Sequence, residues 1–342
     1  MTVAKGPETF MSLNSVVADD TSWVRARYQD LVQEVERLIH GKTEVIQNAV
    51  ICLLAEGHLL IEDVPGVAKT SLAKALARAV GGQMKRIQFT PDLLPSDVVG
   101  VQIWDAKVGD FKFVHGPVFA NIVLADEINR ASPKTQSALL EAMAEGQVTV
   151  DGRRNPLARP HFVIATQNPI DHHGTYALPE AQMDRFMMML KIGYPSREHE
   201  RAIVGDAISR MSAADIRQVM GDSDLLRMID VTRSVYVSPG VQDYIVAITD
   251  ATRYDEAIRL GASPRASNAL ALAAQARAAV EGRDFATVDD VKKLARPVLA
   301  HRLLVRPEVA AQRKKTAKMV VEELLTTLLA SIRPPAEPAS GR

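Results

Sequence analysis

A lysine followed by a hydroxyl residue, Lys69-Thr70, stands near the end of the stretch IEDVPGVAKTS, residues 61–71. Between a strand and a helix, such a stretch can hold phosphate. Backbone N–H groups and the helix N-terminus point at the anion, the lysine balances its charge, and the hydroxyl reaches Mg²⁺. Gly66 lies inside the loop, with Val64, Pro65, Val67 and Ser71 completing it. Two positions depart from the pattern G-x-x-x-x-G-K-[ST]: Asp63 and Ala68 stand where glycine is expected. Alanine adds only a methyl, and a residue entering the helix would be in a conformation alanine favours. Asp63 would repel a triphosphate unless its carboxylate turns away and accepts hydrogen bonds from the loop backbone. Alone, the stretch leaves a chance strand-turn-helix open.

Four further positions carry chemistry. IVLADEINRA ends an apolar run in Asp126-Glu127, which would place a ligand for Mg²⁺ or its water beside a base for an attacking water. The bland alternative is an acidic pair that closes a strand. FVIATQNP ends another apolar run at Asn168, placed to orient that water or sense a γ-phosphate, or simply to make a turn. LPEAQMDRF offers Arg185 just before a fifth apolar run, and GASPRASNALALAAQARA offers Arg265 at the start of a later helix. Single arginines of this kind are commonly solvated or paired. Together, the five elements fall in the one order that a split nucleotide site requires.

The elements that must position these residues follow from the apolar pattern. HLLIE, KRIQF, NIVLAD, HFVIAT and FMMMLKI are short, continuously apolar runs separated by helical stretches. They predict a five-stranded parallel sheet covered on both faces. SPKTQSALLEAMAEG predicts a helix with Ser132 as N-cap and Pro133 in its first turn. QVTVDGRRNPL reads as a hairpin around an Asp-Gly turn. After Tyr194-Pro195 the periodicity is helical, with breaks at GDS, VSPG, GASP and EGRDFAT. The expected organisation is a loose tail over residues 1–22, an α/β core over 23–195, an all-helical domain over 196–332 and a second tail over 333–342.

At this point the sequence resembles the MoxR family of AAA+ ATPases. The resemblance rests on EDVPGVAKT, VLADEINRASPKTQSALLEAMAEGQVTVDG, ATQNPIDHHGTYALPEAQMDRF and SPRAS, and covers roughly residues 25–305. It implies an AAA+ core with a helix-2 insert and a helical lid. It also implies ATP with Mg²⁺, the loop at 63–71, Asp126 and Glu127 as the Walker B pair, Asn168 as sensor 1, Arg185 as the arginine finger and Arg265 as sensor 2. Adenine would lie near LIHGKTE, around Ile39, His40 and Gly41. Family members commonly carry an acidic residue where Asp63 stands, and the related minichromosome maintenance helicases commonly carry alanine where Ala68 stands. The insert, TPDLLPSDVVGVQIWDAKVGDFKFVHGPV, and the hairpin over 147–160 would face the pore of a ring. Trp104, Phe111 and Phe113 are expected to pack within the insert rather than to contact a client.

The resemblance implies a hexameric ring that remodels or matures a partner protein complex, with a von Willebrand factor A domain protein as partner. Metal-cofactor insertion is one such task. A nucleic-acid translocase and a nucleotide-gated switch are the competing readings. Lys plus Arg equals Asp plus Glu at 41 each, so no excess of positive charge points to nucleic acid. Glu127 and Arg185 weigh against a switch without turnover. The single cysteine, Cys52, lies in an apolar run and predicts a buried thiol, with no disulfide framework. No basic start followed by an apolar stretch opens the chain, and no uncharged apolar run reaches membrane-spanning length; the expectation is a soluble, cytoplasmic protein. The neighbours His172 and His173 cannot both address one ion and have no evident third ligand. RPEVAAQRKKTAKMV is expected to be a solvated basic helix face.

Overall fold

The computed structural model describes residues 8–64, 66–107, 109–168 and 176–334. Pro65, His172, His173 and the last eight residues lie outside that range. The chain divides into two compact units: Leu31–Leu226 forms one, and the segment up to Asp30 forms the other with residues from Arg227 on.

In chain order the first unit begins within α1 (Glu8–Glu36), then α2 (Thr43–Leu54), β1 (Leu59–Glu62), α3 (Lys69–Ala79), β2 (Met84–Gln88) and α4 (Pro95–Val99). There follow β3 (Gly100–Asp105), β4 (Asp110–His115), β5 (Ile122–Asp126), α5 (Pro133–Glu145), β6 (Gln147–Val150), β7 (Arg153–Pro156) and β8 (Phe162–Gln167). The unit closes with α6 (Glu180–Met183), β9 (Met188–Leu190), α7 (Arg197–Ser209) and the start of α8 (Asp222–Ser234). The five predicted strands form one sheet in the order β2-β5-β8-β1-β9, and every pairing in it is parallel. Alternation sends Leu60, Val123, Ala125, Val163 and Ala165 into a core shared with Leu139, Leu140 and Met143 of α5. Leu59, Ile61, Leu124 and Ile164 point the other way and are equally buried. Both faces are therefore covered, which is why these runs read as unbroken apolar segments. Ser132 caps α5 as expected, its hydroxyl accepting from the Thr135 amide.

The two hairpins lie outside the main sheet, β3 paired with β4 and β6 with β7, both antiparallel. On the first, Trp104 and Phe111 sit directly opposite one another with ring centroids 5.2 Å apart. Both stay more than half exposed. Phe113 packs against His115 and Phe119. Trp104 and Phe111 thus pack on each other within the insert while remaining largely exposed, and Phe113 packs at its base.

The second unit contains the rest of α8, α9 (Pro239–Tyr254), β10 (Ile258–Leu260), α10 (Pro264–Val280), α11 (Val288–Leu299), β11 (Leu304–Val305), α12 (Pro307–Gln312) and α13 (Ala317–Ser331). The expected breaks at VSPG, GASP and EGRDFAT separate α8, α9, α10 and α11, whereas those at 300–306 and 313–316 had no counterpart in the sequence reading. The unit is helical except for the short antiparallel pair β10–β11, where Ile258 and Val305 bury their side chains. The basic run spans α12, α13 and the turn between them, so it is not one continuous helix face.

Two boundaries differ from expectation. The helix α1 starts at Glu8, so residues 8–22 are helical where a loose tail was expected. Their serines, threonines and aspartates read as turn formers, but neither glycine nor proline interrupts residues 8–36, and nothing breaks the helix there. At the other boundary, the first unit continues beyond residue 195. Glu34 accepts from the Arg217 amide at 2.8 Å and its guanidinium at 3.1 Å, and the Val219 amide donates to the Ala79 carbonyl at 2.8 Å. Cys52 is fully buried. Among the described residues no helix is long and apolar enough to cross a membrane.

Candidate nucleotide site

The loop between β1 and α3 leaves the sheet where β1 ends, and its backbone is set by two left-handed residues. Gly66 has φ +84° with open space around it, and Ala68 has φ +63°. Ala68 is therefore not entering the helix. It is the residue before it, in a region where an L side chain costs about 1–2 kcal/mol. The expectation that alanine is conformationally at ease here is overturned: glycine is favoured at this position for its backbone freedom, and the chain pays for the methyl.

Asp63 does turn its carboxylate away from the loop's anion side. Its Oδ1 accepts from the Val64 amide at 2.8 Å, and its Oδ2 accepts from the amides of Ile192 and Gly193 at 2.7 and 2.5 Å. Only the first of these donors is in the loop; the other two belong to the chain that leaves β9. The residue is 9 % exposed and both carboxylate oxygens are engaged, so Asp63 acts as a staple rather than a free charge.

Lys69 begins α3 and donates to the Asp63 carbonyl at 2.8 Å. Burial pushes its ammonium below the usual lysine range, while the nearby carboxylates of Asp126, Asp63 and Glu127 oppose that shift. Thr70 and Ser71 follow in the first helical turn. The Thr70 hydroxyl and the Asp126 carboxylate are hard oxygen donors of the kind Mg²⁺ prefers, too few for an all-protein cage but suited to an ion completed by phosphate and water. Among the described residues no group of three or more His, Cys, Asp or Glu could hold a metal by itself.

Asp126 ends β5 and is buried. Thr166 of β8 donates to its Oδ1 at 2.6 Å, and Arg86 of β2 donates to its Oδ2 through Nε and Nη2 at 3.1 and 2.6 Å. Glu127 follows at φ +56°, a strained conformation for a non-glycine residue. Its amide donates to the Thr166 hydroxyl at 2.8 Å, and its Oε2 accepts from Gln88 at 3.0 Å and Arg130 at 2.9 Å. Thr166 thus serves both acids at once. Asn168, one residue past β8, is 7 % exposed, and its carbonyl accepts from Asn129. Thr166, Arg86 and Gln88 were not singled out from the sequence, and the role of Arg130 was left open. The available signal was the polar pair Arg86 and Gln88 at i, i+2 on a strand, a spacing that puts both on one face.

A cavity of about 500 Å³ adjoins the loop and is lined by Ile39, His40, Gly66, Val67, Ala68 and Ile203 among others. His40 Nε2 lies 2.6 Å from Asp206 Oδ2. Gly41 has φ +67°, and a Cβ there would collide with the His199 ring. The segment expected near adenine and the loop expected at the phosphates therefore share one pocket with an apolar wall.

Arg185 is elsewhere. It donates to the Leu140 carbonyl of α5 at 2.5 Å and lines a second cavity with Glu141, Arg154 and Gln182. Two residues on, the Met187 amide donates to the carbonyl of His58, just before β1 begins. Arg185 accordingly stands at the end of the sheet where β1 starts, and the loop at the end where it finishes. Arg265 is exposed in the first turn of α10, in the second unit.

A five-stranded parallel sheet with a phosphate-type loop after its first strand and an acidic pair after its third defines a P-loop ATPase core. Residues 58–188 match the ATPase family associated with various cellular activities (AAA), and residues 250–324 match the AAA lid domain. The chain is 42% identical to Chaperone MoxR1 of Mycobacterium tuberculosis, over 86% of this chain and 80% of that one. It is 44% identical to the uncharacterized protein YeaC of Bacillus subtilis, over 91% and 96% of the two chains, and 29% identical to Protein MoxR of Paracoccus denitrificans, over 89% and 96%. A solved structure of a candidate ATPase from Cytophaga hutchinsonii superposes with a TM-score of 0.86 at 35% identity, covering 95% of this chain and all of that one. The protein belongs to the MoxR family of AAA+ ATPases.

Proposed function

We propose that the protein binds ATP with Mg²⁺ in the cavity beside the loop, hydrolyses it, and uses the cycle to remodel a partner protein. The observation that carries this reading is the convergence of Lys69, Asp126 and Glu127 next to a pocket walled by Ile39 and Val67. Lys69 and the loop amides hold the phosphates, and Thr70 and Asp126 hold the metal, which when bound neutralises the phosphate charge. Glu127 takes the proton of the attacking water once its carboxylate is released from Gln88 and Arg130, and Asn168 orients that water. Arg185 cannot reach the loop of its own chain from the far end of the sheet, so it serves a neighbouring subunit. For Arg265 we keep the sensor 2 role that the family resemblance implies.

A heterologous contact of this kind closes into a ring when the rotation per subunit allows, and the number we infer is six. The partner we infer is a von Willebrand factor A domain protein, with maturation or metal insertion in a client complex as the task; the name Chaperone MoxR1 borne by one relative is in line with that. The decisive experiment is Glu127→Gln, which should bind ATP with wild-type affinity by calorimetry and lose turnover by a hundredfold or more, as expected for a lost general base. Turnover at the wild-type rate would remove Glu127 from this role.

A further inference from the structure

Arg86 belongs to none of the roles above, yet it makes the closest charged contact in the site. It stands on β2, the edge strand, where the register sets Gln88 beside Asp126 and Arg86 beside Leu124. Its Nε and Nη2 both end on Asp126 Oδ2, at 3.1 and 2.6 Å, while Thr166 takes one acceptor site of Oδ1. A carboxylate oxygen offers about two lone-pair sites, so the two Arg86 donors fill Oδ2, while Thr166 holds Oδ1. Arg86 also donates to Gln88 Oε1 at 2.5 Å, and Gln88 in turn donates to Glu127. Both carboxylates at the end of β5 are thus matched by a guanidinium, Asp126 by Arg86 and Glu127 by Arg130. The two partners differ in freedom: the Arg86 side chain is 49% exposed and the Asp126 side chain 12%. The arginine can swing into solvent; the aspartate cannot leave.

We propose that Arg86 is a positioning residue that competes with magnesium for Asp126, so that metal and nucleotide bind together more tightly as Arg86 lets go of Oδ2. The inference rests on the ATP and magnesium reading of the site. A guanidinium and a dication on one carboxylate repel each other whichever oxygen the ion takes, and the filled Oδ2 cannot serve both. With the metal absent, Arg86 offsets negative charge that would otherwise face the incoming phosphates. Removing it therefore has two opposite effects, weaker binding of metal-free nucleotide and a larger gain on adding metal. By linkage the factor Arg86 takes from the metal equals the factor the metal takes from Arg86.

The test is calorimetric titration of the full-length protein with ADP, in EDTA and in MgCl₂, for wild type, Arg86→Gln and Arg86→Lys. The ratio of affinity with metal to affinity without should rise in Arg86→Gln by about three- to tenfold, the scale of a half-exposed charged contact. Arg86→Lys, which keeps the charge but not the fork, should fall between. A ratio unchanged or reduced in Arg86→Gln, with ADP still bound, would overturn the proposal while leaving the nucleotide site standing. Failure of the wild type to bind ADP in either buffer would overturn the reading of the site and the proposal with it. A purely structural arginine would weaken binding alike in both buffers and leave the ratio where it was.

Discussion

Acidification acts on this fold through a histidine far from the nucleotide loop. His58, just before β1, is buried; its Nδ1 accepts from the Val163 amide at 3.2 Å, so its proton sits on Nε2 and is donated to the Met143 carbonyl at 3.2 Å. A second proton would break the first bond and place a charge in the core beside His161, whose ring centre is 5.8 Å away. Burial, and next the His161 charge, push the His58 pKa down from 6.5 to about 4, with the Met143 carbonyl opposing. A depressed histidine contributes its full stability above its unfolded pKa and loses it as pH falls from 6.5 toward 4, because the unfolded chain takes up the proton first. At pH 5 the unfolded imidazole is almost fully charged and the folded one almost wholly neutral. The cost from pH 7 to pH 5 is about 2 kcal/mol at 1.36 kcal/mol per unit. His161 is also lowered by burial and adds in the same direction. The assay is urea unfolding of wild type and His58→Gln at pH 7 and pH 5. The variant starts less stable, but the same pH step should cost it about 2 kcal/mol less. Parallel losses in the two proteins would refute the reasoning.

Three other predictions concern the loop and the assembly. Ala68→Gly relieves the left-handed strain at a cost in unfolded-chain entropy, so denaturation should show a net change within about 1 kcal/mol, and ATPase activity should change by less than about tenfold. Asp63→Ala strands the amides of Val64, Ile192 and Gly193 and should cost at least about 2 kcal/mol by thermal or urea unfolding; Asp63→Asn, which keeps one acceptor oxygen, should cost less, and equal losses would mean the staple is unimportant. Lys69→Ala and Arg185→Ala should each be inactive alone, and mixing them should restore part of the ATPase activity if Arg185 serves a neighbour's site. Mixtures that co-assemble without recovery would assign Arg185 to its own subunit or to structure.

The strands were legible because each is buried on both faces and so carries an unbroken apolar signal. Asp126-Glu127 and Asn168 could be located because they stand where those strands end, and Lys69 because it opens the helix after the first of them. What escaped the sequence is what depends on register and on backbone angles. Nothing in the letters around Asp63 reveals that its partners are the amides of residues 192 and 193, since a main-chain donor leaves no mark in residue type. Nor does alanine at 68 announce a positive φ. Arg86 became visible only when β2 was laid beside β5, and Thr166 only when β8 was laid on the other side. The helical start of α1 was missed for a different reason: its polar residues favour turns locally, and continuation from a stable helix outweighs that preference.

The Asp63 staple also bears on how this loop can evolve. Its two distant bonds run to peptide N–H groups, which every residue except proline supplies. Position 192 can therefore drift among apolar side chains without disturbing the aspartate. Position 193 is tied to glycine only by its own φ of +66°. A lineage could then lose the loop's first glycine and gain the aspartate in a single step, with no compensating substitution across the sheet. The partners it requires are supplied by the backbone that turns after β9.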